Sequence, residues 1–113
     1  MAVKTSQGRA FTGSAFNQPQ ALIRIDWTDP ALLDLERHIG YIDSFNPRAA
    51  DRLAADLVKA ADSLALFPMR GRSIQYRNAR ELAAVWPYVI VYRVDGQTVE
   101  ILRVWHGAED RPR

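Results

Sequence analysis

The chain contains no cysteine in its 113 residues. That excludes disulfides, thiolate zinc sites, iron–sulfur clusters and a thiol nucleophile together. Histidine is nearly absent as well, and the two present, His38 and His106, make a poor metal site; neither a metal nor a cofactor is expected. Lysine is limited to Lys4 and Lys59, so arginine supplies almost all of the positive charge. No apolar run approaches the roughly 20 residues of a membrane helix, and no continuous apolar segment near Met1 has the form of a secretory signal. The expectation is a cytoplasmic protein that does not span a membrane.

What is present is ordinary globular material: 48% hydrophobic, 25% charged and 10% aromatic residues. A chain of this size is expected to form one domain that buries roughly two-thirds of its unfolded surface. The formal charge of +2 hides an uneven distribution. Residues 21–66 carry five basic and eight acidic side chains, whereas residues 67–113 carry eight basic and five acidic ones. The C-terminal half therefore offers forked, permanently charged donors suited to carboxylates, phosphates and protein interfaces.

Met1 to Gln20 is rich in Gly, Ser, Thr, Gln and Asn and reads as a flexible N-terminal extension (1–20), with residues 21–110 as the single domain and 111–113 as a tail. Ala21 to Trp27 reads as a first strand. Thr28-Asp29-Pro30 places a capping side chain before a proline and starts a helix. Leu32, Leu35, Ile39 and Ile42 form its apolar face, flanked by Tyr41 and Phe45, with Asp34, Arg37 and Asp43 on the polar side. Asn46-Pro47 ends that helix and caps the next, whose stripe is Ala50, Leu53, Leu57, Ala60, Ala61, Leu64 and Phe67. With so short a connection the two helices form an antiparallel hairpin.

Met69 to Arg80 reads as an exposed basic loop holding Arg70, Arg72, Arg77 and Arg80 and no acid. Glu81 to Val85 is a short strand, Trp86-Pro87 a turn, and Tyr88 to Val94 a β-branched and aromatic central strand. Asp95-Gly96 is a hairpin signal, after which Gln97 to Trp105 returns as the last strand and His106 to Arg113 is a polar tail. A turn at Asp95-Gly96 sets Val94 against Gln97, Ile90 against Ile101 and Tyr88 against Arg103. Both faces of that hairpin are then partly apolar, which requires a tail or partner on the side away from the helices. The fold class is α+β in the order βααβββ, a helical hairpin on a small antiparallel sheet.

Several stretches together resemble the ParE branch of the RelE/ParE toxin superfamily: residues 34–43, Asn46-Pro-Arg-Ala-Ala-Asp-Arg-Leu, Leu66-Phe-Pro-Met-Arg-Gly-Arg, Tyr88-Val-Ile-Val-Tyr-Arg-Val-Asp-Gly and Val99-Glu-Ile-Leu-Arg-Val-Trp-His-Gly-Ala-Glu-Asp. The resemblance covers about residues 22 to 110, and the last phrase is its most specific part; Trp105 stands where leucine is commoner in this branch. It implies a toxin of a type II toxin–antitoxin pair, of the kind carried in plasmid-stabilisation modules. Such a toxin is held in a hetero-oligomeric complex by a cognate, ParD-like antitoxin.

Two activities occur in the superfamily. ParE-like members bind and poison DNA gyrase, which is not enzymatic action by the toxin. RelE-like members are ribosome-dependent endoribonucleases that cut messenger RNA. RelE-like nucleases place an arginine directly after the start of the strand matched by Tyr88-Val-Ile-Val-Tyr; here that residue is Val89, which cannot stabilise a phosphorane. The gyrase reading is therefore expected. In the nuclease alternative His106 is the general acid and Arg80, Arg93 and Arg103 neutralise phosphate.

Each of these residues also has a plain structural reading. His106 is a strand-end hydrogen-bonding group, His38 a helix-surface residue, and Arg93 with Glu100 a diagonal cross-strand ion pair. Arg103 stacks on Tyr88 or contacts a target, and Trp27 and Trp86 pack. For the basic loop a solvated face and a partner contact stay open. Arg70, Arg72, Arg77, Arg80, Tyr88, Arg103, Trp105 and His106 are the candidates for contact with antitoxin or target.

Overall fold

The protein is described by a computed structural model covering residues 23–107. The Met1–Gln20 extension, the first two residues of the expected first strand and the 111–113 tail lie outside the described residues. Strand β1 (Arg24–Trp27) leads into helix α1 (Asp29–Asp43). Thr28 caps α1 as expected, its side chain accepting from the Ala31 amide, and Asn46 likewise accepts from Ala49 at the start of helix α2 (Pro47–Asp62). Only Ser44 to Asn46 separate the helices. A 3-10 turn (Ser63–Ala65) extends α2 before the chain enters β2 (Arg72–Ser73), β3 (Arg80–Val85), β4 (Tyr88–Asp95) and β5 (Thr98–His106). His106 is thus the last residue of a strand and not the first of a tail.

The five strands lie in the order β1-β5-β4-β3-β2. β1 runs parallel to β5, as a strand separated from its neighbour by the helical hairpin can, and all other pairs are antiparallel. Both helices pack on one sheet face around Leu57, Leu64, Leu82, Ile90, Tyr92 and Ile101. The segment read as an unbroken basic loop contains β2, a two-residue strand on the sheet edge.

The β4–β5 register differs from the expected one in two ways. Asp95 pairs with Thr98, so Gly96 and Gln97 make the turn, with Gly96 at φ 63°. Placing glycine at the first turn position satisfies the left-handed backbone there and brings Val94 against Val99 and Arg93 directly against Glu100. Further along, Tyr92 pairs with Ile101 but Val91 with Arg103, a bulge that leaves Leu102 as the extra residue. The bulge inverts the faces beyond it. Val104 turns to the helices, Trp105 to the far side, and Tyr88 pairs with His106 in place of Arg103.

Among the described residues the centre of the far side is covered from within the domain. Val89, Val91, Leu102 and Trp105 form a second small core with Ala79, and Ile74 and Tyr76 close over it. Tyr76 meets Trp105 edge to face, ring centroids 5.0 Å apart. Two packing expectations fail. Phe67 is 63% exposed, because the helical phase that would have buried it ends with α2 at Asp62. Trp86 is 64% exposed, its ring lying over Gly107 where a Cβ would approach it to 2.8 Å. Trp27 is buried as expected.

Candidate functional site

The buried face of α1 is rotated from the expected one and comprises Ala31, Asp34, Leu35 and His38. The reason lies in β5. β1 is only four residues long and follows β5 no further than Ile101, which leaves the β5 edge beyond it without a strand partner on that side among the described residues. Side chains replace the missing strand. Thr28 Oγ1 donates to the carbonyls of Ile101 and Leu102 at 2.9 and 3.2 Å, the Val104 amide donates to Asp34 Oδ2 at 2.9 Å, and His38 Nε2 donates to the Val104 carbonyl at 2.8 Å. Buried backbone polar groups must find partners, and residues four apart on one helix face are placed to supply them. His38 is therefore a buried structural residue, not a helix-surface one.

Arg103 completes this seam. Its Nε and Nη2 grip the two oxygens of Asp34 at 2.7 and 2.9 Å, and its guanidinium lies 6.0 Å from the Trp105 ring centre. The expected stack on Tyr88 is not formed, because the bulge carries Arg103 away from that residue. Burial by itself pushes the Asp34 carboxyl upward in pKa. Hydrogen bonds from Arg103 and the Val104 amide, with the Arg103 charge, outweigh it and hold the group below its ordinary value of 3.8.

The remaining candidates are engaged one by one. Arg93 pairs with Glu100 at 2.6 Å, as expected for an ion pair but directly across the ladder. Arg80 Nη1 donates to the Gly71 carbonyl at 2.7 Å, and Arg72 holds the buried Glu81 at 2.6 Å. Arg70 donates to Ser63 Oγ at 2.7 Å, and Arg77 lies 5.7 Å from the centre of the Tyr76 ring. The four groups of the nuclease alternative do not all lie together. His106 pairs with Tyr88 at one end of β4, whereas Arg93 is five residues along that strand, a distance of about 16 Å at ~3.3 Å per residue. Arg80 sits opposite Tyr92 beside Arg93, and Arg103 is committed to Asp34.

Around His106 the structure instead assembles residues that sequence reasoning did not group. Arg37, His38, Tyr41, Tyr88 and His106 line an open basin of about 460 Å³, with the Tyr88 ring 5.0 Å from His38 and 5.5 Å from His106, edge to face in both cases. The spacing of Ala31, Asp34, Leu35 and His38 was the available signal for the α1 half of this arrangement. Tyr92 was also missed as a polar residue. Its phenol is buried, donates to the Pro68 carbonyl at 2.7 Å and accepts from the Gly71 amide at 2.8 Å. Burial raises its pKa above 10.0, opposed in part by the Gly71 bond and by Arg80 and Arg70. Gly71 has no alternative here, since a Cβ would stand 2.6 Å from the Glu81 carbonyl oxygen. Among the described residues no group of three or more His, Cys, Asp or Glu is placed to hold a metal, and no helix is long and apolar enough to cross a membrane.

These features define a small α+β domain whose buried carboxylates are each paired with an arginine and which exposes large apolar side chains, Leu66, Phe67 and Met69 at one place, Leu33, Tyr41 and Phe45 at another. The family model described as "ParE toxin of type II toxin-antitoxin system, parDE" matches residues 25–111, and the chain belongs to that family, as its sequence motifs implied. It is 46% identical over 87 residues to Toxin RelE2 of Caulobacter vibrioides, covering 77% of this chain and 98% of the relative. Toxin RelE1 of the same organism is 42% identical over 81 residues, covering 69% and 86%. Among solved structures, a chain of the chromosomal ParDE toxin–antitoxin system from P. aeruginosa superposes with a TM-score of 0.67 at 25% identity, over 75% of this chain and 96% of that one. The chain is accordingly the toxin component of a type II toxin–antitoxin system.

Proposed function

We propose that this toxin acts in the cytoplasm by docking on DNA gyrase and poisoning it, and that a cognate antitoxin encoded beside it silences it in a hetero-oligomeric complex. The observation that carries the reading is the commitment of its arginines, each held on a partner of its own: Arg103 on Asp34, Arg93 on Glu100 and Arg80 on the Gly71 carbonyl. A phosphoryl-transfer site needs cations available to one developing charge, and these are each engaged within the fold. Val89, which stands where the RelE-like nucleases carry an arginine, is buried in the far-side core beside Trp105. The antitoxin partner is supported by the likeness to the ParDE system and by the exposed apolar side chains.

One observation favours the alternative of ribosome-dependent messenger RNA cleavage. The His106 basin combines an arginine, two imidazoles and two phenols, groups able to move protons and neutralise phosphate. The two readings separate in cells. Expression of the chain from a tightly controlled promoter is expected to give filamentation with DNA damage, and His106→Gln is expected to keep toxicity within a few-fold. Immediate arrest of translation, lost in His106→Gln with the fold intact, is the opposite result, since removing a general acid costs ~10²–10⁴ in rate.

A further inference from the structure

The connection between α2 and β2 displays what a loop ordinarily hides. Leu66, Phe67 and Met69 are 76, 63 and 60% exposed, and with Pro68 and Arg70 they line an open groove of about 580 Å³. The backbone carrying them is nonetheless held in place. The Leu66 and Phe67 amides donate to the Ser63 carbonyl, the Arg70 amide donates to Phe67, and the Arg70 side chain returns to Ser63. From below, the buried Tyr92 phenol bridges the Pro68 carbonyl and the Gly71 amide, and Arg80 holds the Gly71 carbonyl. An apolar ridge fixed at both ends loses little conformational freedom when a partner covers it, and that lowers the cost of binding.

The charge around the ridge selects among occupants. Arg70 lines the ridge itself, the rest of residues 66–80 adds three arginines and no acid, and the next acid, Glu81, is buried beneath Arg72. A second copy of the chain would bring two such arginine-rich ridges together, and like charges facing across an interface are unfavourable. A segment with apolar anchors flanked by carboxylates fits both the ridge and its rim. Through Arg70 the groove continues into a shallow cleft between α2 and β3 lined by Asp56, Lys59, Ala84 and Val85, so the surface extends beyond the ridge, with Lys59 set against the one carboxylate there. An exposed patch of this kind needs a cover whenever the chain is made, which a co-produced partner supplies and a target met later does not.

We propose that the Leu66–Arg70 ridge is the docking site for an amphipathic, acid-flanked segment of the antitoxin. The assignment rests on the toxin–antitoxin reading above. It is tested by titrating the purified antitoxin from the adjacent reading frame onto the full chain by calorimetry at low and high salt. Leu66→Ser with Met69→Ser is expected to weaken binding by about 100-fold or more, the size of a lost central hot spot. Arg70→Gln is expected to weaken it about 5-fold and to flatten the salt dependence. Leu33→Ser with Phe45→Ser, on the outer side of α1, is expected to stay within about 3-fold. All of these side chains are exposed, and an unchanged melting temperature confirms that each variant folds. Binding of the ridge double variant within 3-fold of the parent overturns the proposal, and loss confined to the α1 variant moves the dock to that helix. Failure of the parent chain to bind the antitoxin at all overturns the toxin–antitoxin reading itself, a result distinct from either.

Discussion

The seam between α1 and β5 and the segment from Leu66 to Arg80 each hold an arginine on a carboxylate that is almost fully buried. Asp34 is 5% and Glu81 6% exposed in their side chains, but Arg103 keeps 34% of its side chain in water and Arg72 70%. At the seam the carboxylate also takes the Val104 amide, so the pair stands in for strand pairing that β1 is too short to provide. In the segment Arg72 covers its carboxylate from the sheet edge and stays mostly in water, near the apolar ridge. The same two residue types thus close an interior gap in one place and leave a charged rim in the other. What decides between the uses is the backbone beneath each carboxylate, not the charge itself.

Breaking the seam is expected to give the largest effect. Asp34→Ala leaves the Val104 amide and the Arg103 guanidinium without their acceptor and is expected to cost about 3 kcal/mol in denaturant unfolding, near the lower bound for a broken buried pair because Arg103 stays partly solvated. The same carboxyl sets an acid limit. Its folded pKa lies below the ordinary 3.8, so its stabilisation is complete above that pH and disappears as the pH falls through the lower folded value. Unfolding free energy measured from pH 6 to 2 is therefore expected to drop below about pH 4 in the parent and to be flatter in Asp34→Asn.

The ridge has its own buried support, and removing it is expected to cost less. Tyr92→Phe deletes one hydroxyl and frees the Pro68 carbonyl and the Gly71 amide, for an expected loss of about 2 kcal/mol in thermal or denaturant unfolding. The phenol's raised pKa works in the opposite pH direction to Asp34. Its contribution is complete below pH 10.0 and is lost as the pH rises toward the folded value, so the alkaline loss of stability is expected to be smaller in Tyr92→Phe. The smallest effect is expected at a pair that belongs to neither region. Arg93 and Glu100 are 37 and 30% exposed, and Arg93→Gln is expected to change stability by less than ~1 kcal/mol.

The elements whose signals are local could be read directly from the chain. Thr28 with Pro30 and Asn46 with Pro47 cap their helices through side-chain bonds to residues three positions on, and the apolar run at Tyr88 is the central strand because its composition fits no other place. The features that escaped depend on distant partners. The bulge at Leu102 has no marker in its own sequence, yet it decides which face Val104 and Trp105 occupy and whether Tyr88 meets Arg103 or His106. Asp34 and His38 look like surface residues of a helix until β1 proves too short to pair the whole of β5. Gly71 reads as a loop glycine and is in fact the point where the backbone passes under Tyr92 and Glu81. Among the candidate residues the chemistry was recognisable by type, but the grouping of Arg37, His38, Tyr41, Tyr88 and His106 required the register.

Function by docking, and not by phosphate chemistry, is most directly examined in a purified system. The folded chain is incubated with DNA gyrase, plasmid and ATP, and in parallel with ribosomes programmed with messenger RNA, and the nucleic acids are inspected for breaks. The expected result is gyrase-dependent linear plasmid with the messenger RNA intact. Cut messenger RNA on the ribosomes, with the plasmid unbroken, would contradict it.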